Sequence, residues 1–460
     1  MTLSSCFLIA KCRNAGPHVL TFLLFSLLSA FCLLAGFTAV AALDGTIELA
    51  ALIRSGPDAS RAFVLLAAGF LIKAGAIGVH VWLPGAYTEA EDDVTAMLSA
   101  VVSKVSMFGL LVCTYLTIRS EVGLELAHVM AWIGMLTTIA GALMALRQND
   151  FKRLLAFSSM SQLGYIVTAI ALMSHLGWVT ALYLVANHML VKGILFLALA
   201  GIIMRTGTRN FAETGGLARA MPFTFAMVLV AIVSMSGLPP LMGFGGKWLL
   251  LSAMTDKGWY GLAVCGLIAT FVGFLYMARI VSGLFFGPRR AGQTDVNEAP
   301  LLLLLPQLVL VVGIVILSFF PKLLIEPVSA AIDPQFASTL VWGGMSLESI
   351  YGFWNPTPVV LVVLAVVAVL FAIVMLFYRS RRRQAESVSG FFRFYRPILG
   401  RAVPPLALMF WRGISHGALA AAAKIRLIYT GNAQTYALYV FGYFLVLYFA
   451  STGFSGAGLR

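Results

Sequence analysis

The chain has 460 residues, of which 60% are hydrophobic and only 11% are charged, and its formal net charge is +13. Soluble domains carry charged residues at about a quarter of their positions, so this composition excludes an ordinary water-soluble enzyme. The positive charge does not indicate nucleic-acid binding, because the basic residues stand in short loops between apolar runs. The chain is therefore expected to be solvated by lipid.

Apolar runs long enough to cross about 30 Å of hydrocarbon recur along nearly the whole length. They predict an all-α polytopic membrane protein with about 11 transmembrane helices. The predicted spans are 18–43, 62–84, 94–118, 127–146, 154–174, 179–204, 222–254, 259–286, 301–320, 358–378 and 434–450.

The organisation around these spans follows from composition. Residues 1–17 are predicted to be a cytoplasmic N-terminus, because the apolar run that follows is too long for a cleaved signal peptide. Residues 18–320 form the transmembrane core, and 321–357, with four prolines, is predicted to be a largely irregular outer loop. Residues 379–432 are predicted to be a basic amphipathic segment on the cytoplasmic surface, and 433–460 a final helix with its tail.

Loop charge predicts the orientation. An N-terminus in the cytoplasm puts most basic loop residues inside, in the direction that bacterial inner-membrane proteins favour. An odd number of helices then leaves the C-terminus outside. The residues placed inside are Lys11, Arg13, Arg147, Lys152, Arg153, Arg205, Arg209, Arg219, Arg289 and Arg290, together with the segment 379–432.

Five basic residues fall inside predicted spans: Lys73, Lys104, Lys192, Lys247 and Arg279. A charge at the bilayer centre costs at least about 2.5–3.5 kcal/mol on insertion scales, so such residues indicate a function. Arg279 lies near a helix end, where snorkelling to the interface accounts for it. The lysines near mid-span cannot reach either interface easily, and they are candidates for ion transfer.

His188 and Lys192 are four residues apart and therefore share one helix face. Two titratable groups stacked in this way can pass a proton between them, although lone histidines in apolar helices are usually structural. His80 follows Lys73 by seven residues and is predicted to lie on the same face, close to the inner helix end. That position suits proton uptake from the cytoplasm, but Trp82 and Pro84 could equally make it a structural helix stop.

The span 222–254 contains a dense run of glycine and proline from Ser236 to Lys247 (SGLPPLMGFGGK). These residues remove helix hydrogen bonds, and broken helices at membrane depth occur where they line protein or wet cavities. The run predicts a break with Lys247 at its end, and the alternative is a merely kinked helix.

Acidic residues fall in loops or at helix ends rather than near mid-span. The densest group is Glu89, Glu91, Asp92 and Asp93, in an inner loop between the spans that carry Lys73 and Lys104. These acids could gather protons at a channel mouth, or they could be a solvated turn.

Five motifs in order resemble the antiporter-like subunits shared by respiratory complex I, Mrp cation/proton antiporters and membrane-bound hydrogenases. They are residues 73–84 (KAGAIGVHVWLP), 103–109 (SKVSMFG), 148–165 (QNDFKRLLAFSSMSQLGY), 187–192 (NHMLVK) and 237–244 (GLPPLMGF) followed by Lys247. The resemblance implies two inverted bundles, each with a broken helix, and a central polar axis for protons. It makes Lys73 the lysine of the first broken helix, Lys104 a bridging lysine, His188 with Lys192 the central pair, and Lys247 the exit residue.

The family usually has about five further helices before the point that matches the start of this chain, one of which bears a buried glutamate that pairs with the lysine matched by Lys73. The resemblance therefore implies an incomplete inverted repeat and a partner subunit that supplies these helices and the glutamate. It also leaves open a subunit that no longer pumps.

The leading hypothesis is a proton-translocating or proton/cation-exchanging membrane subunit, with exchange of Na+ left open, in an NADH:quinone oxidoreductase-like or hydrogenase-like complex. It would not be catalytic alone. The alternative is a structural subunit that scaffolds a redox or bicarbonate-uptake assembly. The sequence contains no cofactor motif, and its five cysteines lack metal-ligand spacing, so no cofactor, metal or nucleic-acid partner is expected.

Overall fold

The computed structural model describes residues 16–45, 59–117, 123–287, 296–332, 340–343, 346–349 and 352–355, with isolated positions elsewhere. This part is mostly helical, as predicted for an all-α membrane protein. The helices are α1 (Gly16–Asp44), α2 (Ala59–Ala74), α3 (Trp82–Glu89), α4 (Asp92–Thr117), α5 (Gly123–Leu146), α6 (Phe151–Ala171), α7 (His175–Thr206), α8 (Pro222–Ser236), α9 (Met242–Asp256), α10 (Tyr260–Phe285), α11 (Leu301–Phe319) and α12 (Lys322–Ala331).

Seven of the described helices are long and apolar enough to cross a membrane, namely α1, α4, α5, α6, α7, α10 and α11. The pairs α2–α3 and α8–α9 each fall within one predicted span and are interrupted in its middle, so the described helices cover the first nine predicted spans. The predicted total of eleven is not confirmed, because 358–378 and 434–450 lie largely outside the described residues. The predicted segment 379–432 also lies outside them, as does most of 1–17.

Helix α6 lies at the centre of the bundle. Its apolar stretch is 100% buried within the protein, whereas that of α11 is 22% buried and leaves leucine and valine side chains exposed on the surface of the bundle. Successive spans run in opposite directions, with α2–α3 and α8–α9 each counted as one span, so the bundle has two ends. We call the end where α6 begins the first end, and the end where α6 finishes and α7 begins the second end. The described basic loop residues assigned to the cytoplasm lie at the first end.

The first helix break separates α2 from α3. Helix α2 stops at Ala74, directly after Lys73, where Gly75 and then Gly78 adopt positive φ angles of 71° and 87°. Side chains compensate for the lost helix bonds: Trp82 Nε1 donates to Ile72 O at 2.9 Å, and Ile77 N donates to Thr137 Oγ1 at 2.9 Å. The break agrees with the broken helix that the family resemblance implied at Lys73, whereas the prediction that His80 shares a helix face with Lys73 was wrong.

The second break, between α8 and α9, is where the glycine and proline run predicted it. Gly237 has a φ of 73°, and the main chain leaves the helix until Met242, whose N–H donates to Ser318 Oγ at 2.8 Å. Gly243 is required here, because a Cβ at this position would overlap the carbonyl of Ser234 at the end of α8. The two half-helices therefore pass each other at backbone contact.

The loop 321–357 is more ordered than predicted. It contains α12 and three short antiparallel strands, β1 (Val341–Gly343), β2 (Ser346–Ser349) and β3 (Gly352–Trp354), in the order β1-β2-β3. The expectation of a largely irregular loop was wrong because apolar side chains bury themselves against the bundle. Ile325, Leu347 and Trp354 are at most 3% exposed.

Helices α5 and α6 pack at backbone distance through glycine. A Cβ on Gly164 would lie 2.5 Å from Gly134 O and 2.6 Å from Thr138 N, which are main-chain atoms that cannot move aside alone. Small residues at such crossings allow membrane helices to approach closely.

Replacing Gly164 with alanine is therefore expected to force α5 and α6 apart. Overpacking of this kind costs about 1–3 kcal/mol, so Gly164→Ala should lower the thermal unfolding midpoint in detergent. Gly313→Ala is the matched control, because a Cβ there meets only the Leu190 side chain, at an ordinary 3.5 Å from Cδ2 and 3.8 Å from Cδ1. Equal unfolding midpoints for both variants would contradict the packing assigned to Gly164.

Candidate functional site

The centre of the site is a hydrogen bond between two basic side chains. Lys104 Nζ on α4 lies 2.6 Å from His188 Nδ1 on α7. An ammonium can donate to a ring nitrogen only if that nitrogen carries no proton, so the pair shares one proton at this contact. His188 is 3% exposed, and its Nε2 has no hydrogen-bond partner in the described part of the chain.

An irregular turn positions Lys104. Residues Leu98–Val102 form a π-helical turn within α4, a widened geometry that is rare and concentrates at functional sites. Ser99 O, inside this turn, accepts Lys104 Nζ at 2.5 Å, and Ser103 Oγ accepts it at 3.0 Å. The lysine thus has main-chain, hydroxyl and imidazole partners in the bundle interior.

Lys192 is the most deeply buried lysine of the site, with 0% of its surface exposed. Its Nζ donates to Leu155 O at 2.9 Å and to Ser158 Oγ at 2.5 Å, both on α6. His188 and Lys192 occupy one face of α7 as predicted, but their hydrogen bonds run to different helices. His188 contacts α4 and Lys192 contacts α6, so α7 joins the two.

Polar side chains on helix α6 extend the site from Lys192 towards the second break. Ser158, Gln162 and Tyr165 recur at helical spacing on one face, and Tyr165 Oη donates to Gly266 O of α10 at 2.9 Å. No role for these residues was predicted from the sequence. The signal that identifies them is the spacing of polar residues along the central, fully buried span.

Lys247 lies on α9 at the second break. Its Nζ lies 5.4 Å from the centre of the Tyr165 ring and donates to Ser236 O, the last residue of α8, at 3.1 Å. The ammonium therefore donates a hydrogen bond to a carbonyl that the helix break leaves without its usual main-chain partner. The contacts to α6 and α8 link Lys247 to the same polar face that binds Lys192.

Lys73 is the residue before the last of α2, at the first break. Its Nζ lies 3.3 Å from Ser26 Oγ and 5.4 Å from the ring of Phe22, both on α1. The side chain is only partly buried, unlike that of Lys192. His80 is 8% exposed and lies in the non-helical stretch that follows, so the two residues flank the break without sharing a helix.

The acidic group predicted for proton uptake lies at the first end, between α3 and α4. Asp92 Oδ1 pairs with Lys152 Nζ at 2.6 Å, and Glu89 Oε1 pairs with Arg209 Nη2 at 3.0 Å. Asp93 accepts Val94 N at 2.7 Å, and Glu91 precedes the first residue of α4. Two of these acids thus fasten the loop to neighbouring elements.

Asp150 and Arg209 complete this anchoring at the first end. Arg209 Nε lies 3.0 Å from Asp150 Oδ2, so one guanidinium joins the loops before α4, α6 and α8. Burial raises the pKa of the Asp150 carboxyl above its ordinary value, while the N–H of Arg153 and the charge of Arg209 oppose that rise. Asp150 also caps α6 by accepting the N–H groups of Lys152 and Arg153.

Arg279 has the structural placement that the sequence favoured. Its guanidinium donates to Leu146 O, the last residue of α5, at 2.5 Å and to Asn149 Oδ1 at 2.9 Å. Among the described residues, no group of three or more His, Cys, Asp or Glu is arranged to hold a metal ion.

The sequence of this chain is similar to those of known proteins from one family. Residues 3–273 match the family described as NADH:quinone oxidoreductase/Mrp antiporter, TM. The NADH-quinone oxidoreductase subunit N of Desulforudis audaxviator is 31% identical over 69% of this chain and 67% of that protein. A Na(+)/H(+) antiporter subunit of Alkalihalophilus pseudofirmus is 30% identical over 70% of this chain and 45% of that protein.

A solved structure extends the likeness. A chain of the membrane-bound sulfane sulfur reductase, an archaeal respiratory membrane complex, superposes with a TM-score of 0.75 and 28% identity over 97% of this chain and 78% of that one. This chain therefore spans about half to two thirds of the two curated relatives and most of the solved one.

The Lys152–Asp92 pair yields a prediction about the first end. Lys152 is 3% exposed and also donates to Ala90 O, so Lys152→Met removes a buried cation and leaves both acceptors without it. Because Asp92 is about a third exposed, we expect destabilisation of about 1–3 kcal/mol, read as a lower thermal unfolding midpoint.

Lys322→Met is the matched control, because its pair with Glu326 is exposed on both sides at 3.8 Å. Exposed pairs contribute about 0–1 kcal/mol, so this variant should unfold near the wild-type temperature. The buried role of Lys152 would be refuted if Lys152→Met unfolded no earlier than Lys322→Met.

Proposed function

The chain belongs to the NADH:quinone oxidoreductase/Mrp antiporter membrane family, and on that premise we propose that it relays protons through the membrane along Lys104, His188, Lys192 and Lys247. The Lys104–His188 hydrogen bond carries this proposal. Two basic groups that share one proton can exchange its position with little motion of heavy atoms. A purely structural contact would not require two titratable groups.

The contacts of α6 and α7 support a continuous route. His188 and Lys192 lie one turn apart on α7, Lys192 bonds to Ser158, and the face that carries Ser158 continues to Tyr165 beside Lys247. Hydroxyl and amide groups at this spacing can hold water between the titratable groups. The route would run from the centre of the bundle to the second break.

We infer that the first end faces the cytoplasm of a bacterial-type inner membrane, with the N-terminus on that side. The support is the concentration of basic loop residues at this end, because cytoplasmic loops carry an excess of lysine and arginine. Protons would then enter near His80 and the acidic loop that contains Glu89, Glu91, Asp92 and Asp93.

Partner subunits belong to this proposal. The solved relative belongs to an archaeal respiratory membrane complex, and α1 presents an apolar surface that includes Leu20, Leu27 and Phe31. We propose that a neighbouring membrane subunit packs beside α1 and brings a carboxylate towards the partly buried Lys73. Approach or withdrawal of this carboxylate would change the electrostatic potential along the relay of Lys104, His188, Lys192 and Lys247, and so drive proton transfer.

The test is proton uptake by vesicles that contain the intact complex, followed with a pH-sensitive dye. Lys104→Ala should abolish driven uptake, because it removes one member of the central pair. His188→Asn keeps an acceptor near the Nδ1 position but cannot carry a proton at neutral pH, so it should also fail.

Lys322→Ala is the control, because Lys322 lies outside the track. Subunit content of the vesicles is measured for every variant, so that lost assembly is not mistaken for lost transfer. Normal uptake by both Lys104→Ala and His188→Asn would reject the relay.

One observation favours a second function. Lys104, Lys192 and Lys247 each donate to a main-chain carbonyl, so they also cross-link or cap helices. A structural subunit that scaffolds a redox or bicarbonate-uptake assembly would need only those bonds. Under this alternative, Lys73→Met and Lys192→Met would leave activity intact in assembled complexes, whereas deletion of whole helices would disrupt assembly.

A further inference from the structure

One main-chain oxygen on α6, that of Leu155, is approached by more side-chain donors than it can serve. Ser158 Oγ donates to it at 2.8 Å, Ser159 Oγ at 3.0 Å and Lys192 Nζ at 2.9 Å. A carbonyl oxygen has two lone pairs, so these three hydrogen bonds cannot all be strong at the same time. All four residues are 0% exposed, so the donors compete with one another rather than turning to bulk water.

Ser159 also has a possible acceptor on another helix. Its Oγ lies 3.0 Å from Leu155 O and 3.0 Å from Ser99 Oγ, in the π-helical turn of α4. A hydroxyl has a single hydrogen, so Ser159 donates to one of these two oxygens at a time. Ser99 is 0% exposed, and its carbonyl accepts Lys104 Nζ at 2.5 Å. Ser159 therefore lies between the acceptor that holds Lys192 and the turn that positions Lys104.

A change of charge on Lys192 would alter this competition. A charged donor forms a stronger hydrogen bond than a neutral one, so the ammonium of Lys192 outcompetes the Ser159 hydroxyl for Leu155 O. Loss of its proton leaves an amine with a lone pair, which can accept the hydrogen of Ser158 across their 2.5 Å contact. Leu155 O then loses two donors, and Ser159 donates to it without a competitor.

We propose that the hydroxyl of Ser159 carries the charge state of Lys192 to the turn that holds Lys104. This proposal rests on the proposed function and adds two positioning residues, Ser99 and Ser159, on a path that does not pass through His188. When Lys192 is charged, Ser159 donates to Ser99, and the hydrogen of Ser99 turns away from α6. The turn of α4 then gains the positive end of a dipole, which disfavours an ammonium at Lys104 in this buried place. The hydroxyl pair thus keeps the two lysines from being charged together.

The first measurement is the pH profile of driven proton uptake by vesicles that contain the intact complex. Ser159→Ala should lower the rate severalfold and move the profile along the pH axis, because Lys192 loses a competitor for its acceptor. Thr114→Val is the matched control, since it removes another buried hydroxyl, which donates to Leu111 O within α4 at 2.8 Å. A residue that only packs lowers the rate by one factor at every pH, and such a result for Ser159→Ala would overturn the proposal.

The second measurement asks whether Ser99 and Ser159 act through one bond. Ser99→Ala removes the alternative acceptor and confines the Ser159 hydroxyl to Leu155 O, so it strengthens the competition that Ser159→Ala removes. The two variants should therefore move the pH profile in opposite directions. The double variant should match Ser159→Ala, because Ser99 can act on Leu155 O only through the hydroxyl that is missing. Shifts in the same direction, or a double variant that combines both shifts, would contradict the coupling.

The third measurement observes Lys104 itself and needs no transport. In the purified complex with isotopically labelled lysine side-chain nitrogens, the NMR signal of Lys104 Nζ is identified by its loss in Lys104→Ala. Lys192→Met should change the chemical shift of this signal, and the change should be smaller when Ser159→Ala is also present, because the hydroxyl path is then missing. A change of equal size in both backgrounds would overturn the role of Ser159, whatever the result for driven uptake in Lys104→Ala.

Conservative variants separate the hydroxyl from packing if Ser159→Ala is poorly assembled. Ser159→Thr keeps the hydroxyl and should retain the wild-type position of the pH profile, whereas Ser159→Cys supplies only a weak donor and should move it. Equal profile positions for these two variants would count against the hydroxyl. Loss of driven uptake in Lys104→Ala, with no profile shift in the Ser99 and Ser159 variants, would leave the relay in place and remove only the coupling.

Discussion

Hydrogen bonding of ammonium groups inside an apolar bundle is the constraint on which the rest of the structure depends. A cation at mid-membrane depth costs at least about 2.5–3.5 kcal/mol unless the protein supplies partners. Here the partners are mainly main-chain carbonyls: Ser99 O for Lys104, Leu155 O for Lys192 and Ser236 O for Lys247. Two of these carbonyls belong to irregular backbone, at a π-helical turn and at a helix break.

This constraint links the irregular backbone to the chemistry. At the π-helical turn and at the second break, irregular backbone frees or redirects a carbonyl, and the bundle places a lysine beside it. The regular helices α5 and α6 instead pack at backbone distance through Gly134 and Gly164, which holds the polar face of α6 at a fixed distance from its neighbours. Rigid packing around a few broken turns is what a relay with short donor–acceptor distances requires.

Much of the fold followed from the sequence because lipid imposes a length and a polarity on every crossing. The helices over the first nine predicted spans, the break at Gly237 and the shared face of His188 and Lys192 were all predictable from hydropathy and spacing. Hydropathy and spacing alone did not predict the break after Lys73, which only the family resemblance implied, since its glycines are widely spaced and Trp82 compensates from ten residues away. The order in the loop 321–357 was also missed, because it depends on the packing of Leu347 and Trp354 against residues distant in sequence.

The sequence identified the buried lysines of the site, but it did not identify most of the groups that accept their hydrogen bonds. Insertion cost identifies Lys104 and Lys192 directly, whereas their contacts with Ser99 and Ser158 depend on which helix faces which, and hydropathy carries no such information. The ion pairs of Arg209 with Glu89 and Asp150 are likewise set by the approach of three loops far apart in sequence.

The widened turn at Leu98–Val102 has a consequence for the whole of α4. A regular helix advances about 100° per residue, and one extra residue in a turn shifts the angular phase of everything that follows by that amount. Lys104 is the second residue after the turn, so its direction towards His188 is set by this phase offset as well as by its place in the sequence. A protein with the same residues on an unbroken helix would aim that ammonium at a different neighbour.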